Sequence, residues 1–179
     1  MVYLTNNKKE ALNSREFAER LVNNKYNLRD GECLKTKLVY SSEWSNPTLY
    51  RIPDYHYKMF YLINQMHREM SKLGVSVPAS RIKEDAVKKK GVVIYQKMLL
   101  DRSTGKLVDY FFILDINLSK VLIFRRETDF VQEQNRLYRA VKYLNDEMFF
   151  DYEKIFALLQ LNGFNTTLEM VSHIVSEIQ

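Results

Sequence analysis

Residues 91–127 read GVVIYQKMLLDRSTGKLVDYFFILDINLSKVLIFRRE, and this stretch decides the fold. It contains three apolar runs rich in β-branched and aromatic residues, at 92–100, 107–116 and 121–124. Two short polar segments separate the runs, which is the pattern of neighbouring strands joined by tight turns. In the first of these segments, Gly105 suits the left-handed conformation that closes a hairpin loop, because glycine lacks a Cβ atom. We therefore predict an antiparallel meander over residues 92–126.

A long amphipathic helix is predicted before the meander, over residues 55–73. Its apolar residues recur three or four positions apart, and the expected inner stripe is Tyr55, Met59, Leu62, Met66, Met70 and Leu73. A shorter helix is predicted over residues 80–89, with Ile82, Ala86 and Val87 facing inward. Alternating residues at 34–40 predict an edge strand. These elements indicate an α+β fold, in which the 55–73 helix packs on a small antiparallel sheet of three to five strands.

Helical spacing returns in the last part of the chain. Helices are predicted from residue 128 or 129 to 145, from 152 to 161 with Asp151 as the N-cap, and from a capping box at Thr166–Glu169 to 178. No linker, repeat or low-complexity segment interrupts the sequence. We therefore expect a single α+β domain over residues 1–179, with an α/β body (1–128) and a helical C-terminal subregion (129–179).

The net charge of +5 is unevenly distributed along the chain. Residues 1–53 carry nine Lys/Arg against six Asp/Glu, residues 54–128 fourteen against eight, and residues 129–179 four against eight. A basic middle attracts anions, most commonly nucleic acid, so RNA is the expected partner. Many basic proteins bind no nucleic acid, and that alternative stays open. The acidic C-terminal subregion suits contact with a basic protein or nucleoprotein.

The apolar runs and the single cysteine indicate where the protein acts. Each run is far shorter than the roughly 20 residues that a membrane helix needs, so no membrane partner is expected. The first residues show no signal-peptide pattern. Cys33 is the only cysteine, which excludes an internal disulfide. We expect a cytoplasmic protein.

The spacing of the acidic residues and histidines disfavours a metal site. Asp109 and Asp115 lie six residues apart on one predicted strand. They are thus separated by about 20 Å at the rise of a strand and cannot share one ion. His56, His67 and His173 show no metal-ligand pattern, and no glycine-rich phosphate loop is present. Neither a metal nor another cofactor is expected.

Cleavage of RNA without a metal needs a general acid or base beside the scissile phosphate, with cations around it. The candidate catalytic residues are His56, Tyr95 and Lys97, of which the last two share one face of the first meander strand. The candidate nucleic-acid-binding residues are Lys58, Arg81, Lys83, Lys88, Lys89, Lys90, Arg125 and Arg126. Two alternatives stay open. His56 and His67 are also compatible with helix-edge positions whose polar tips reach water, and lysines at a helix C-terminus also stabilise its macrodipole.

Three short motifs, His56-Tyr57-Lys58, Pro78-Ala79-Ser80-Arg81-Ile82 and Arg125-Arg126-Glu127, resemble the phage-borne branch of the barnase, EndoU, colicin and RelE-like nuclease group. The resemblance spans residues 50–128. It implies a metal-independent endoribonuclease acting on a structured or guide RNA, with His56 as general acid/base and Arg81, Lys97, Arg125 and Arg126 as phosphate binders.

The chain is also similar in style to anti-CRISPR proteins of phages and mobile elements, because it is small, rich in tyrosine and lysine, and without catalytic motifs. This similarity implies an alternative function. The protein would be a non-catalytic inhibitor or adaptor that binds a nucleoprotein such as Cas9 through the acidic C-terminal helices.

Overall fold

The computed structural model describes residues 36–44, 55–127 and 134–178. Its elements in chain order are β1 (Thr36–Glu43), α1 (Tyr55–Lys72), α2 (Ala79–Lys88), β2 (Val92–Asp101), β3 (Lys106–Asp115), β4 (Lys120–Glu127), α3 (Gln134–Asp146), α4 (Tyr152–Leu161) and α5 (Leu168–Ile178). The predicted α+β fold is confirmed. Cys33, the side chain of His56 and the predicted start of α3 at residue 128 or 129 lie outside the described residues.

The sheet has four antiparallel strands in the order β1-β4-β3-β2. The predicted meander is confirmed, because β2, β3 and β4 are neighbours in sequence order. The prediction that the first strand lies at an edge is also confirmed. β3 lies in the interior of the sheet, and all its residues from Leu107 to Asp115 are buried except Tyr110. Burial on both faces explains why most residues of this run are apolar.

The two turns of the meander follow the chemistry of their residues. Gly105 has φ +75°, and its backbone N–H donates to the carbonyl of Asp101 over 2.8 Å. The Asp101 carboxylate accepts from the backbone N–H of Ser103 over 3.0 Å, which fixes the start of the loop. In the second turn Ser119 takes the positive φ of +61°. The hairpin predicted from Gly105 is thus confirmed.

The chain forms two compact units. The α1–α2 unit comprises residues 36–97 and 110–125, and the C-terminal unit comprises residues 98–109 together with the residues that follow 125. The loop between β2 and β3 therefore belongs with the C-terminal helices, whereas the sequence prediction placed it in the body that ends at residue 128.

In the α1–α2 unit, α1 packs against α2 and β1. Leu62, Met66 and Met70 are completely buried, as the predicted inner stripe requires. Leu73 was predicted inward but is 39% exposed, because α1 ends at Lys72. Gly74 turns the chain with φ +80°, and Val75 is buried in place of Leu73.

In α2 the predicted inward positions are only partly right. Ile82 and Ala86 are buried, but Val87 is 64% exposed. Four residues advance a helix by little more than one turn, so Ile82 and Ala86 share a face. A fifth residue rotates Val87 away from that face.

The C-terminal unit is built on a second cluster of buried side chains, which is Leu107, Ala140, Val141, Leu144, Ile155, Leu159, Phe164, Val171 and Val175. The predicted N-cap is confirmed, since Asp151 Oδ1 accepts from the backbone N–H of Lys154 over 2.9 Å. Asn162, just after α4, ties the β2–β3 hairpin to this unit. Its Oδ1 accepts from the backbone N–H of Leu107 over 2.7 Å, and its Nδ2 donates to the carbonyl of Gly105 over 2.9 Å. Among the helices described, none has the length and apolar character needed to cross a membrane.

Candidate nucleic-acid interface

Two aromatic side chains project from α1 into solvent. Tyr57 is 62% exposed and Phe60 is 69% exposed. They lie three residues apart and therefore on the same side of the helix. Between and beside them, Met59 and Ile63 point into the core. The helical period thus places an aromatic pair next to the buried stripe, on surface that the fold leaves open.

These rings form one wall of a groove between α1 and α2. The groove has a volume of about 560 Å³ and is lined by Tyr57, Met59, Phe60, Ile63, Asn64, Ala79, Ser80 and Lys83. Its lining is mostly apolar. The longest polar side chains in it are those of Lys83 and Asn64. No ion pair joins Lys83 to another residue in the described part of the chain. A flat, apolar ligand that carries negative charge fits these properties.

A second, polar pocket lies further along α1. Its lining residues are Asn64, His67, Arg68, Ser71 and Lys72. The Lys72 ammonium pairs with Glu69 over 2.8 Å. Asn64 lines both the groove and this pocket, so the two are neighbours along α1.

The imidazole of His67 is oriented by the backbone. His67 Nδ1 lies 2.9 Å from the carbonyl oxygen of Val77. A carbonyl oxygen only accepts hydrogen bonds, so Nδ1 carries the hydrogen in this contact. In the neutral ring, Nε2 then has the free lone pair and is the atom left for a ligand.

The groove and the pocket together form one stripe along α1, which we call the α1 stripe. It consists of Tyr57, Phe60, Asn64, His67 and Ser71, at spacings of three or four residues, together with Arg68 beside His67. From Tyr57 to Ser71 the helix rises about 21 Å, long enough for several nucleotides. Aromatic rings lie at one end, and the histidine lies beside a cation at the other.

The three predicted catalytic residues are not placed together by the described structure. His56 lies at the start of α1, and its side chain is outside the described residues. Lys97 is exposed on β2, on the same face as Tyr95. The Tyr95 hydroxyl donates to Asp85 Oδ2 over 2.5 Å.

The Tyr95 phenol is held in its protonated form. Burial is the main cause that raises its pKa, and the hydrogen bond and negative charge of Asp85 raise the pKa further. The positive charge of Arg81 lowers the pKa by a smaller amount. A phenol with a raised pKa is a poor general base at neutral pH. Its bond to Asp85 instead joins β2 to α2, and Arg81 lies 3.6 Å from the same carboxylate oxygen.

The predicted nucleic-acid-binding residues fall into two groups. Arg81, Lys83, Lys88, Lys89 and Lys90 are exposed on α2 or directly after it. Lys88 Nζ lies 3.6 Å from Glu84, and Lys90 has φ +55°.

The second group is less accessible. Lys58 and Arg125 are partly buried, and both have interaction partners. Arg126 is only 3% exposed and is also partnered. This burial conflicts with the predicted role of Arg126 as a surface phosphate binder, because an external phosphate could not reach its guanidinium.

Sequence reasoning missed most of the α1 stripe. Tyr57, Phe60 and Asn64 were not candidates, although their spacing parallels that of the buried stripe one position away. His67 was considered only as the partner of His56. In the described part of the chain, no three His, Cys, Asp or Glu residues come close enough to hold a metal ion.

Comparisons with known proteins identify no relative of this chain. No protein-family model, curated protein or solved structure matches this chain. The resemblance to the barnase, EndoU, colicin and RelE-like group stays a prediction, and functional inference rests on the geometry of the two units.

Proposed function

We propose that this protein binds single-stranded RNA along the α1 stripe and cleaves it without a metal ion. The observation that carries the proposal is the pair of exposed rings, Tyr57 and Phe60, on a groove that is also lined by Lys83, which forms no ion pair with any described residue. Proteins that bind single strands combine stacking rings with cations that follow the phosphates. Here the rings would stack bases, and Lys83 with Arg81 would contact the backbone.

The cleavage step follows from the position of His67. Its Nε2 would take the proton of a ribose 2′-hydroxyl, and the 2′-oxygen would attack the adjacent phosphorus. The bond from phosphorus to the 5′-oxygen would break, and that oxygen would take a proton from water. Arg68 and Lys72 line the same pocket and would offset the negative charge that builds on the phosphate. The products are a 2′,3′-cyclic phosphate and a 5′-hydroxyl.

Binding is tested by fluorescence anisotropy with a labelled single-stranded RNA of random sequence. Stacking on an aromatic side chain contributes about 1–3 kcal/mol per base, so Tyr57→Ala and Phe60→Ala should each raise Kd by about 5- to 150-fold. The matched control is Tyr138→Ala on α3, whose ring is 44% exposed and lies in the other unit. Equal affinity in all variants would refute binding along the stripe.

Cleavage is tested on the same RNA in the presence of EDTA, with products separated on denaturing gels. The informative variant is His67→Asn, whose amide can still donate to the Val77 carbonyl but has no basic nitrogen. A positioned general base contributes about 10²- to 10⁴-fold, so the rate should fall by that factor while Kd is unchanged. Unaltered cleavage by His67→Asn, or binding of RNA without any cleavage by the wild-type protein, would refute the catalytic part alone.

A second function is supported by the charge of the C-terminal unit. Residues 129–179 carry eight acidic against four basic side chains, and Leu168 and Met170 on α5 are exposed beside Glu169. These features suit non-catalytic inhibition of a basic nucleoprotein such as Cas9 in the cytoplasm. In that case the protein would block DNA cleavage by the Cas9–guide complex while the guide RNA stays intact. Charge reversal at Glu169 and Glu177 would weaken the block, whereas His67→Asn would not.

A further inference from the structure

The turn between α3 and α4 presents an aromatic side chain in an unusual conformation. Phe149 has φ +58° and is 86% exposed. The surrounding turn is well bonded: the backbone N–H of Glu147 donates to the Tyr143 carbonyl over 3.0 Å, and that of Phe150 donates to the Leu144 carbonyl over 3.1 Å. Asn145 Nδ2 also donates to the Phe150 carbonyl over 3.2 Å. The position of Phe149 is therefore fixed by its neighbours.

Folding alone does not explain a phenylalanine at this position. A left-handed backbone costs a residue with a Cβ atom roughly 1–2 kcal/mol, and glycine avoids this cost. The ring of Phe149 gains almost no burial in return, because most of it faces water. A strained, exposed aromatic residue is typical of a contact site for a partner.

Four carboxylates lie beside Phe149 in the sequence of this turn, namely Asp146, Glu147, Asp151 and Glu153. All four side chains are exposed. Two cations contact the same turn: the Lys154 ammonium lies 4.0 Å from the centre of the Phe150 ring, and Arg102 Nη2 lies 3.8 Å from Met148 Sδ. Within the described part of the chain, no ion pair neutralises any of the four. We call Phe149 with these four carboxylates the acidic knob. Its partner must offer an apolar cavity with a basic rim.

The α1–α2 groove of this same protein offers that combination. Its volume of about 560 Å³ exceeds that of a phenyl ring, and its walls include Met59, Phe60 and Ile63. Lys83 is the one cation among the described residues that line the groove. We propose that the acidic knob of one copy docks into the α1–α2 groove of a second copy.

Such a contact joins two different surfaces, so it is heterologous and builds either a ring or an open chain of copies. Charge complementarity across it predicts that association weakens as salt rises. Docking would also cover Tyr57 and Phe60, so RNA and a second copy would compete for the groove. The proposal itself does not require RNA binding, because both docking surfaces belong to the protein alone.

The test is sedimentation velocity of the full chain over a range of protein concentrations at low salt, without RNA. The wild-type protein should associate as concentration rises, whereas Phe149→Gly, which removes the knob, and Lys83→Glu, which reverses the charge of the groove, should each stay monomeric. Circular dichroism of each variant confirms that it is folded.

Mixing the two variants tests whether association uses the contact between knob and groove or some other contact. Phe149→Gly keeps an intact groove and Lys83→Glu keeps an intact knob, so the mixture should form a one-to-one heterodimer that neither variant forms alone. Formation of that heterodimer supports the proposal. A wild-type protein that stays monomeric, association that survives in Phe149→Gly, or capture of the knob only by another partner such as the Cas9–guide complex would each overturn it. At protein concentrations low enough to keep the wild-type protein monomeric, Phe149→Gly should bind RNA with the wild-type affinity, so a failure of RNA binding would be seen separately.

Discussion

Arg136 Nη2 donates a hydrogen bond of 2.9 Å to Asp109 Oδ2, and the two side chains are only 3% and 0% exposed. Both residues also take part in further interactions. The pair joins the first half of β3 to the start of α3 within the C-terminal unit. Charged groups this deep need partners within the protein, because water no longer solvates them.

Removing one member of this pair should destabilise the protein strongly. We expect Asp109→Ala to lower the free energy of unfolding by about 3–5 kcal/mol, since it leaves the Arg136 guanidinium buried without its carboxylate. The double variant Asp109→Ala/Arg136→Met should lose less than Asp109→Ala alone, because the Arg136 charge is removed together with the carboxylate that it contacts. Urea denaturation of the wild-type protein and the variants measures these differences. A double variant less stable than both single variants would contradict the expectation.

Two glycines have similar φ values, so replacing each by alanine distinguishes the cost of backbone strain from the cost of a steric clash. Gly105 has φ +75°, and a Cβ atom there would lie 2.7 Å from Leu161 Cδ2. Gly74 has φ +80°, and a Cβ atom there would meet nothing within 4 Å. We expect Gly74→Ala to cost about 1–2 kcal/mol from backbone strain alone, and Gly105→Ala to cost more because Leu161 must also move. Thermal unfolding followed by circular dichroism would show the difference, and equal losses would mean that the leucine moves without cost.

The Tyr95 phenol should make stability depend on alkaline pH. Burial and Asp85 raise its pKa in the folded protein above the ordinary value of 10.0. The unfolded chain therefore loses this proton first as pH rises. The stabilisation is fully present below pH 10 and is lost as pH rises towards the higher folded-state pKa.

Tyr95→Phe isolates this effect. Its unfolding free energy should be lower than that of the wild-type protein near neutral pH, because the hydrogen bond to Asp85 is lost, and the difference should shrink above pH 10. Urea denaturation across this range, with tyrosinate absorbance followed in parallel, gives the comparison. A difference between the two proteins that does not change with pH would show that Tyr95 has the same pKa in both states.

Phe149→Gly should stabilise the protein, although it removes a large apolar side chain. The substitution relieves the left-handed strain at φ +58° and sacrifices almost no buried surface. We expect a gain of up to about 1 kcal/mol, after allowance for the greater freedom of glycine in the unfolded chain. The control is Phe164→Gly, where the ring is only 8% exposed and belongs to the core cluster. A large loss of stability in Phe149→Gly would mean that the ring packs more tightly than its exposure indicates.

Local patterns in the sequence predicted much of the fold. The runs at 92–100 and 107–116 contain β-branched and aromatic residues and are separated by a segment with Gly105, so strand and turn preferences agree there. Asp151 was recognised as a cap because an acceptor at that position satisfies a free backbone N–H of the next helix. The prediction that Val87 faces inward was wrong. At the end of a short helix, periodicity alone does not determine which of two adjacent residues faces the core.

Features that depend on distant partners were not accessible from the sequence. Arg126 follows Arg125 and reads as part of an exposed basic strand end, yet the alternation of β4 buries it. Asn162 directly follows a predicted helix, and nothing local in the sequence indicates that its amide binds the backbone of a hairpin more than 50 residues earlier. The candidate site was missed for a similar reason. Phe60 has the spacing of a core residue, and only the packing of α1 against α2 shows that it faces solvent.

The strand order also constrains the path by which the protein folds. β2, β3 and β4 pair with sequence neighbours, so their contacts close short loops and can form early. β1 pairs with β4 across the whole intervening segment of about 80 residues, and closing such a loop carries a larger entropic cost. The meander should therefore serve as the folding nucleus, and β1 should join it last. Until then one edge of β4 stays open to strands from other chains, and aggregation during synthesis would begin there.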